Sequence, residues 1–590
     1  VDAPRFVRLA ERDRASIVLT IDGATATALA GDTVLVALLT HGRRVRDSEF
    51  GDGPRAGFCL MGACQDCWVW TDAGERLRAC STPVVAGMAL RTSPPATLCP
   101  MPPHLQSPLD GAGVGVGNGL GVGEGAVSAA APRIVIVGAG PAGVRAAQAC
   151  VAVGMRPVVV DESPREGGQA YRLPPAGFTR SSATLYGSEA AKADALHAAF
   201  EALRPHIEHW PQTLAWNLTE GALHVVRGEQ PATLPFDAVV ICSGATDRLM
   251  PVPGWQQAGC YSLGAAQVAL MAQGCAIGPR TVFLGSGPLL YLVATQYLQA
   301  GAQVVAVLDT APALKSWPAV QGLLARPIVS KRGLGLIVTL LRGGVKLLQG
   351  VTPLRIEGDE GQGVRRVIVK DARGRERGFD TDAVALGWHL RAEAQLADLA
   401  GCEFEFEPLS RQWLPRVDAE GRSSVRGVYL AGDGARLLGA DGAETAGRLA
   451  ALTALADLQH AGGLARQGES PILRMRLASM ERFRVGLAHA FPWPHDVAAA
   501  VPDDTVVCRC EAITAGELRR CVTELGGQEI NRAKAFSRVG MGRCQGRYCA
   551  HAAAEIVASA AGVPIERVGR LRAQAPVKPL ILATREVERG

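Results

Sequence analysis

Eight of the chain's 15 cysteines fall into two quartets, Cys59, Cys64, Cys67, Cys80 and Cys508, Cys510, Cys544, Cys549. The first reads C-x4-C-x2-C-x12-C. Three thiolates from one short loop and a fourth from a separate segment can wrap a compact two-iron cluster, and glycines such as Gly62 let backbone N–H groups turn toward sulfur. This is the plant-type [2Fe-2S] spacing. Tetrahedral zinc prefers two close cysteine pairs, and only one is present here. The second quartet, C-x-C-x33-C-x4-C, encloses another site. Arg509, Arg543 and Arg547 beside it favour thiolates and an anionic cluster. Its two close pairs suit zinc as well, so spacing alone leaves iron and zinc open. His551, one residue past the last thiol, reads as a solvated helix residue, because four cysteines already complete a ligand shell.

Between the quartets lies Gly138-Ala-Gly140-Pro-Ala-Gly143. It follows the strand-like run Arg133–Val137, opens a helix at Pro141, and is followed by Asp161 at the end of the next apolar run. In that context the motif is a dinucleotide fingerprint. The first glycine makes the turn, the second admits a pyrophosphate, the third brings helix and strand together, and Asp161, with Glu162 as alternate, accepts from a ribose. Gly432 and Asp433, at the end of Val428-Tyr-Leu-Ala-Gly-Asp, resemble the late turn that holds the ribitol of FAD in two-dinucleotide flavoproteins. Gly167, Gly168 and Gln169 fit the segment that runs along the flavin.

A second fingerprint, Gly285-Ser-Gly287-Pro-Leu-Leu290, lacks its third glycine. NAD(P), another adenine nucleotide and an empty vestigial crevice are all compatible with it. No redox cysteine pair and no nucleophile–base set can be assembled, so no catalytic residue is assigned. His389 is expected to pack or hydrogen-bond.

These residues need several folded units to hold them. At 590 residues the chain exceeds one core, and ~150 residues per domain implies three to five units. Gly-rich turns and Val/Ile-rich runs suit an α/β nucleotide-binding fold, and the two fingerprints with the Gly432-Asp433 turn resemble a Rossmann-like, two-dinucleotide-binding flavoprotein. Its expected parts are a β-grasp ferredoxin-like domain (1–104), a Gly-rich linker (105–131), an FAD-binding domain (132–255 and 366–460), a second nucleotide domain (256–365), a helical connector (461–499), a small helical [2Fe-2S] module (500–566) and a tail (567–590). Both apolar runs Asp237–Ala245 and Asp382–Gly387 read as crossover strands of the FAD fold. The net charge of +5 is spread among acidic residues, which argues against nucleic acid as a partner. No apolar run is long enough to span a membrane, the start is too charged for a signal peptide, and the cysteine usage suits a reducing compartment. A cytoplasmic protein is expected, with docking on the inner membrane left open.

Taken together, Gly57–Cys80, Asp161-Glu-Ser-Pro-Arg-Glu-Gly-Gly-Gln-Ala-Tyr-Arg172, Gly285–Leu290, Cys508–Glu511 and Gly540–Arg547 resemble the α subunits of heteromeric FAD-dependent amine and amino-acid dehydrogenases. That family includes hydrogen cyanide synthase, opine oxidases and hydroxyproline and proline dehydrogenases, and is related to heterotetrameric sarcosine oxidase. The resemblance implies that the small ferredoxin-like subunit is here fused at the N-terminus. The resemblance implies that a separate glycine-oxidase-like β subunit oxidises the C–N bond, and that this chain passes the electrons through FAD and two [2Fe-2S] clusters to an unidentified acceptor. In some relatives it also implies an FMN at the subunit interface, for which no residues can be named. The C-terminal quartet resembles the bacterioferritin-associated-ferredoxin type. Ala170 and Asp161 depart from the family's commoner residues. Two other readings remain, a self-contained NAD(P)H-dependent flavin/iron-sulfur reductase and a docking scaffold that holds no flavin.

Overall fold

The computed structural model describes residues 4–94 and 132–580, apart from 229, 314, 315 and 360. The expected linker 105–131 and the last residues of the tail lie outside that range.

The N-terminal domain is a five-stranded sheet with one helix. Ser16–Ile21 (β1) and Ala24–Leu29 (β2) form a hairpin, and Val34–Leu39 (α1) is capped by the Thr33 hydroxyl accepting from the Val36 N–H. Trp68–Thr71 (β3), Arg76–Arg78 (β4) and Ala89–Arg91 (β5) complete the order β2-β1-β5-β3-β4. Only β1 and β5 run parallel, and every residue of α1 is buried. This helix-on-sheet wrap is the expected β-grasp.

The fingerprint strand Ile134–Val137 (β6) leads through its glycine turn into Pro141–Val151 (α2). Val158–Val160 (β7), Glu208–Trp210 (β8) and Ala238–Ile241 (β9) extend a parallel sheet. All residues of β6, β7 and β9 are buried, with α2 against one face and the antiparallel strands of residues 213–235 against the other, and strands covered on both faces read as continuous apolar runs. The chain then enters a second sheet built from Cys260–Ser262 (β10), Arg280–Ser286 (β11), Gln303–Asp309 (β12), Lys346–Gln349 (β13) and Ala383–Trp388 (β14). Their order is β10-β14-β11-β12-β13, all parallel. Leu263–Gln273 (α3), Pro288–Gln299 (α4), Trp317–Leu324 (α5) and Pro327–Arg342 (α6) are its helices. Val428–Leu430 (β15) returns to the first sheet beside β9, and Gly439–Asp457 (α7) lies against α2.

Residues 383–388 depart from the sequence-based expectation, which places them in the FAD-binding half. Instead β14 pairs with both β10 and β11 at the centre of the second sheet. A short bridge between Ala245–Asp247 and Leu390–Ala392 marks where the chain passes between the halves. The return to the FAD-binding half therefore starts after Trp388.

The ferredoxin-like domain is locked onto the second sheet. Arg5, 2% exposed, donates from Nε to the Arg43 carbonyl and from Nη2 to the Gln362 carbonyl, both at 2.7 Å. Val7–Arg8 pairs antiparallel with Cys275–Ala276, and the Phe6 and Tyr261 rings meet edge-on at 5.7 Å. At the other end, Ser470–Ala490 (α8) crosses α5 where Gly322 and Gly486 touch; a Cβ on Gly322 would stand 2.3 Å from the Gly486 Cα. Ala515–Thr523 (α9), opened by a Thr514/Glu517 capping box, and Ala550–Ala561 (α10) frame the last cysteines.

Candidate redox site

In each quartet the thiols associate two and two. Cys59 pairs with Cys64 and Cys67 with Cys80; Cys508 pairs with Cys549 and Cys510 with Cys544. A two-iron rhomb needs two thiolates per iron, which this arrangement supplies. Among the described residues no three His, Cys, Asp or Glu side chains converge on one ion. Backbone N–H groups aim at the sulfurs: the Cys64 N–H donates to Cys59 Sγ at 3.1 Å and the Cys80 N–H to Cys67 Sγ at 3.4 Å. Burial raises the Cys59 thiol, but the Cys64 thiol and the N–H groups of Met61, Ala63 and Cys64 outweigh it and bring it to about 6. In the second quartet Cys544 is brought to about 7, first by Cys510 and then by the Tyr548 and Gly546 N–H groups and Arg547, against burial. Their partners move the other way, Cys64 pushed well up by burial and by Cys59, and Cys510 by Cys544 and burial, so each of these close pairs readies one thiolate, and the two-and-two arrangement of cysteines fits the clusters.

The two quartets face each other. One small cavity is lined by Cys64 of the first and by Cys508, Cys510, Cys544 and Cys549 of the second. Phe58 fills the space between, its ring edge-on to Tyr548 at 5.4 Å and to Trp255 at 5.5 Å. Arg509 closes the gap, stacked over Phe58 at 4.1 Å, donating to the Trp255 carbonyl at 3.1 Å and paired with Asp66 at 3.2 Å. Arg543 pairs with Glu49 across the same boundary. The sequence points to the Arg509 and Arg543 charges but not to Phe58, Trp255 and Tyr548, which carry no motif.

The fingerprint turn is an open cradle. Gly138 has φ 106°, and a Cβ there would lie 2.5 Å from the Cys242 carbonyl oxygen; one on Gly143 would lie 1.7 Å from the Gly138 carbonyl oxygen. Above Gly140 only Gly168 approaches, at 3.6 Å from an added Cβ. No side chain caps the N-terminus of α2, so its free N–H groups are available to a pyrophosphate. Asp161 accepts from the Ala139 N–H at 2.5 Å and the Ser163 N–H at 2.6 Å, bracing the turn. Burial pushes its carboxyl up. Glu162 is instead taken up by Arg78, 3.2 Å away on the ferredoxin-like domain, and by Lys578, which leaves it poorly placed as an alternate ribose acceptor. Gln169 accepts from Arg172 at 3.0 Å. Gly432 has φ 73°, and Asp433 Oδ1 accepts from the Leu438 and Gly439 N–H groups at 2.9 Å each, at the start of α7. Burial raises Asp433 to about 6. A glycine cradle, an uncapped helix start and two half-buried carboxylates at these positions fit FAD.

The second crevice differs. His389 lies over its turn, with ring atoms 3.2 Å from where a Gly287 Cβ would stand. The imidazole Nε2 donates to the Phe491 carbonyl at 2.7 Å, and the Phe491 ring packs on His389 and Tyr291. Asp309, at the end of β12 where a ribose acceptor belongs, is 1% exposed. It accepts from the Tyr291 hydroxyl at 2.7 Å and the Ala311 N–H at 2.8 Å. His389 and Phe491 thus cover the second turn, whereas only Gly168 approaches the first, so the second crevice is the less open of the two to a dinucleotide such as NAD(P). His389 has the packing role expected of it. His551 is not solvated as expected: it is half-buried, and burial, with Arg248 and Arg391 nearby, holds its imidazolium well below the usual range.

Comparison with known proteins agrees with this layout. Residues 14–95 match the 2Fe-2S iron-sulfur cluster binding domain, residues 132–454 the pyridine nucleotide-disulphide oxidoreductase family, and residues 506–559 the BFD-like [2Fe-2S] binding domain. The A-type subunit of opine oxidase from Agrobacterium tumefaciens is 37% identical over 474 residues, 76% of this chain and 90% of the relative. The chain belongs to the opine oxidase A-type family. Hydrogen cyanide synthase subunit HcnB of Pseudomonas aeruginosa is also similar, at 30% identity over 76% of this chain and 97% of the relative. The L-proline dehydrogenase of P. horikoshii shares the fold, with TM-score 0.67 at 18% identity over 97% of this chain and 98% of that one. This member of the opine oxidase A-type family is thus a flavoprotein and iron-sulfur oxidoreductase subunit. The BFD-like match answers the question spacing left open at the second quartet in favour of iron and sulfur.

Proposed function

We propose that the chain is the electron-transfer subunit of a multi-subunit amine or amino-acid dehydrogenase or oxidase. A partner flavoprotein of the glycine-oxidase type takes electrons from a C–N bond, and this chain carries them to an acceptor. The substrate class is an opine or related amino acid, by analogy with the named relatives. When bound, FAD exchanges electron pairs and each [2Fe-2S] centre single electrons. The protein's own contribution is placement. Gly138, Gly140 and Gly143 with the start of α2 would hold the FAD pyrophosphate, Asp161 the ribose, Gly168, Gln169, Gly432 and Asp433 the flavin end. The two cysteine quartets would hold the clusters, and Phe58, Tyr548 and Trp255 exclude water between them.

The observation that carries this reading is the covered turn of the second crevice. A self-contained NAD(P)H reductase needs a nicotinamide nucleotide seated over Gly285 and Gly287, where His389, Phe491 and the Tyr291–Asp309 pair lie. Electrons then have to arrive from a partner. The test is anaerobic rapid mixing of the purified holo-chain. NADH and NADPH are expected to leave the flavin absorbance unchanged over seconds, whereas the reconstituted complex with its partner bleaches on addition of an opine or amino acid. Rapid bleaching by either nicotinamide nucleotide without a partner would sink the relay.

A further inference from the structure

Helices α5 and α6 carry apolar residues on nearly every side, yet they lie at the surface. Inward, Ala319 and Gly322 are buried, Leu340 is buried, and Leu336 and Ile337 pack on the main core. Outward, Trp317, Leu324, Ile328, Leu334, Val338 and Leu341 are between 44% and 70% exposed. A helix that is hydrophobic all round is normally covered, and a contiguous apolar face of this kind marks a binding surface. Scattered exposed apolar side chains would need no explanation; six on two consecutive helices do.

The charge around this face indicates what covers it. Between residues 316 and 346 stand Arg326, Lys331, Arg332, Arg342 and Lys346, with no Asp or Glu, in a chain whose cations and anions are otherwise nearly balanced at 61 and 56. Arg332 is held by Glu189 and Arg326 by Asp441, both from other segments. Lys331, in the second turn of α6, and Arg342, its last residue, are exposed and interleaved with Ile328, Leu334, Val338 and Leu341. Trp, Leu and Ile on one face with only Lys and Arg beside them is the composition of a helix that lies in a lipid interface. Protein interfaces, by contrast, are depleted of lysine and draw little energy from leucine. Among the described residues no helix is long and apolar enough to cross a membrane, so the contact is interfacial.

We propose that the outer face of α5 and α6 docks the chain on an anionic bilayer, with the apolar side chains at the acyl boundary and Lys331 and Arg342 among the headgroups. The proposal is independent of the relay reading, since it is read by binding and not by redox activity.

The test uses the full holo-chain and co-sedimentation with vesicles of phosphatidylcholine alone or mixed with phosphatidylglycerol. Binding is expected to the mixed vesicles and not to the neutral ones, and to weaken with salt. Removing two cations, Lys331→Gln with Arg342→Gln, is expected to lower partitioning about thirty-fold. Leu334→Ser with Val338→Ser and Leu341→Ser is expected to lower it more than about ten-fold, at every salt concentration. All these positions are exposed, so the visible spectrum and melting temperature should be unchanged and serve as the folding control. Absence of binding to phosphatidylglycerol vesicles, or equal binding by both variants and the parent, overturns the proposal. So does loss of the partner subunit by the serine variant without any vesicle binding, which would assign the face to a protein interface.

Discussion

His389 is the residue whose surroundings say most about the second crevice. Its φ of 63° lies in the left-handed region, which histidine and asparagine tolerate better than most residues. Its ring is spent on the Phe491 carbonyl. Burial depresses its imidazolium to about 4, with Arg248 adding to the effect and the Phe491 carbonyl opposing it. The unfolded chain binds this proton near pH ~6.5. As pH falls below that value the unfolded state gains protons first, so stability is lost between about pH 6.5 and 4, and His389 contributes nothing above that window. His389→Asn keeps the backbone conformation and removes the linkage. Relative to the variant, the parent should lose about 2 kcal/mol between pH 7.5 and pH 5, visible as a steeper fall of its melting temperature. Parallel pH profiles would rule out a neutral buried imidazole. Nothing in Leu-Gly-Trp-His-Leu-Arg predicts this environment beyond its being a packing site, because Tyr291, His389 and Phe491 come from three distant segments.

At the scale of elements, the strand–turn–helix units were legible because their signals are local. The Gly138–Gly143 turn, the Pro141 helix start and the buried Val/Ile runs each act over fewer than a dozen residues, and all sit where spacing places them. Sheet membership is not local. Ala383–Trp388 reads like any buried parallel strand, and only its pairing with β10 and β11 shows which sheet it joins. The contact between β6 and α2 gives the matching prediction. A Cβ on Gly143 would stand 1.7 Å from the Gly138 carbonyl oxygen and 2.9 Å from its carbon, so Gly143→Ala must push the helix off the strand. The expected cost is about 1–3 kcal/mol for overpacking, and flavin content should fall more than about ten-fold because the α2 N–H groups no longer converge. Iron content per chain should stay at the parent's level, since the quartets lie on other elements. Parental flavin content would remove the pyrophosphate role from this turn.

At the scale of the whole molecule, the quartets lie more than four hundred positions apart in sequence and share one cavity in the fold. Arg509 is where that closeness has an electrical consequence. Its guanidinium is a buried positive charge beside Cys508 and Cys510, stacked on Phe58 next to Cys59, and tied to Asp66 between Cys64 and Cys67. A one-electron reduction at either quartet adds negative charge, which a nearby cation in a low-dielectric interior stabilises. Arg509→Gln removes that cation while Asp66 keeps Arg46, 2.9 Å away. Both midpoint potentials should therefore move negative together, by on the order of 50 mV, where 59 mV is a tenfold change for one electron. Arg509→Lys should recover part of the shift, since it restores charge without the planar stack on Phe58. Redox titration followed by electron paramagnetic resonance separates the two centres. A shift at the second centre alone would mean that Arg509 acts only through its neighbouring cysteines and that the cavity does not couple the quartets; unchanged potentials at both would leave it a purely structural clamp.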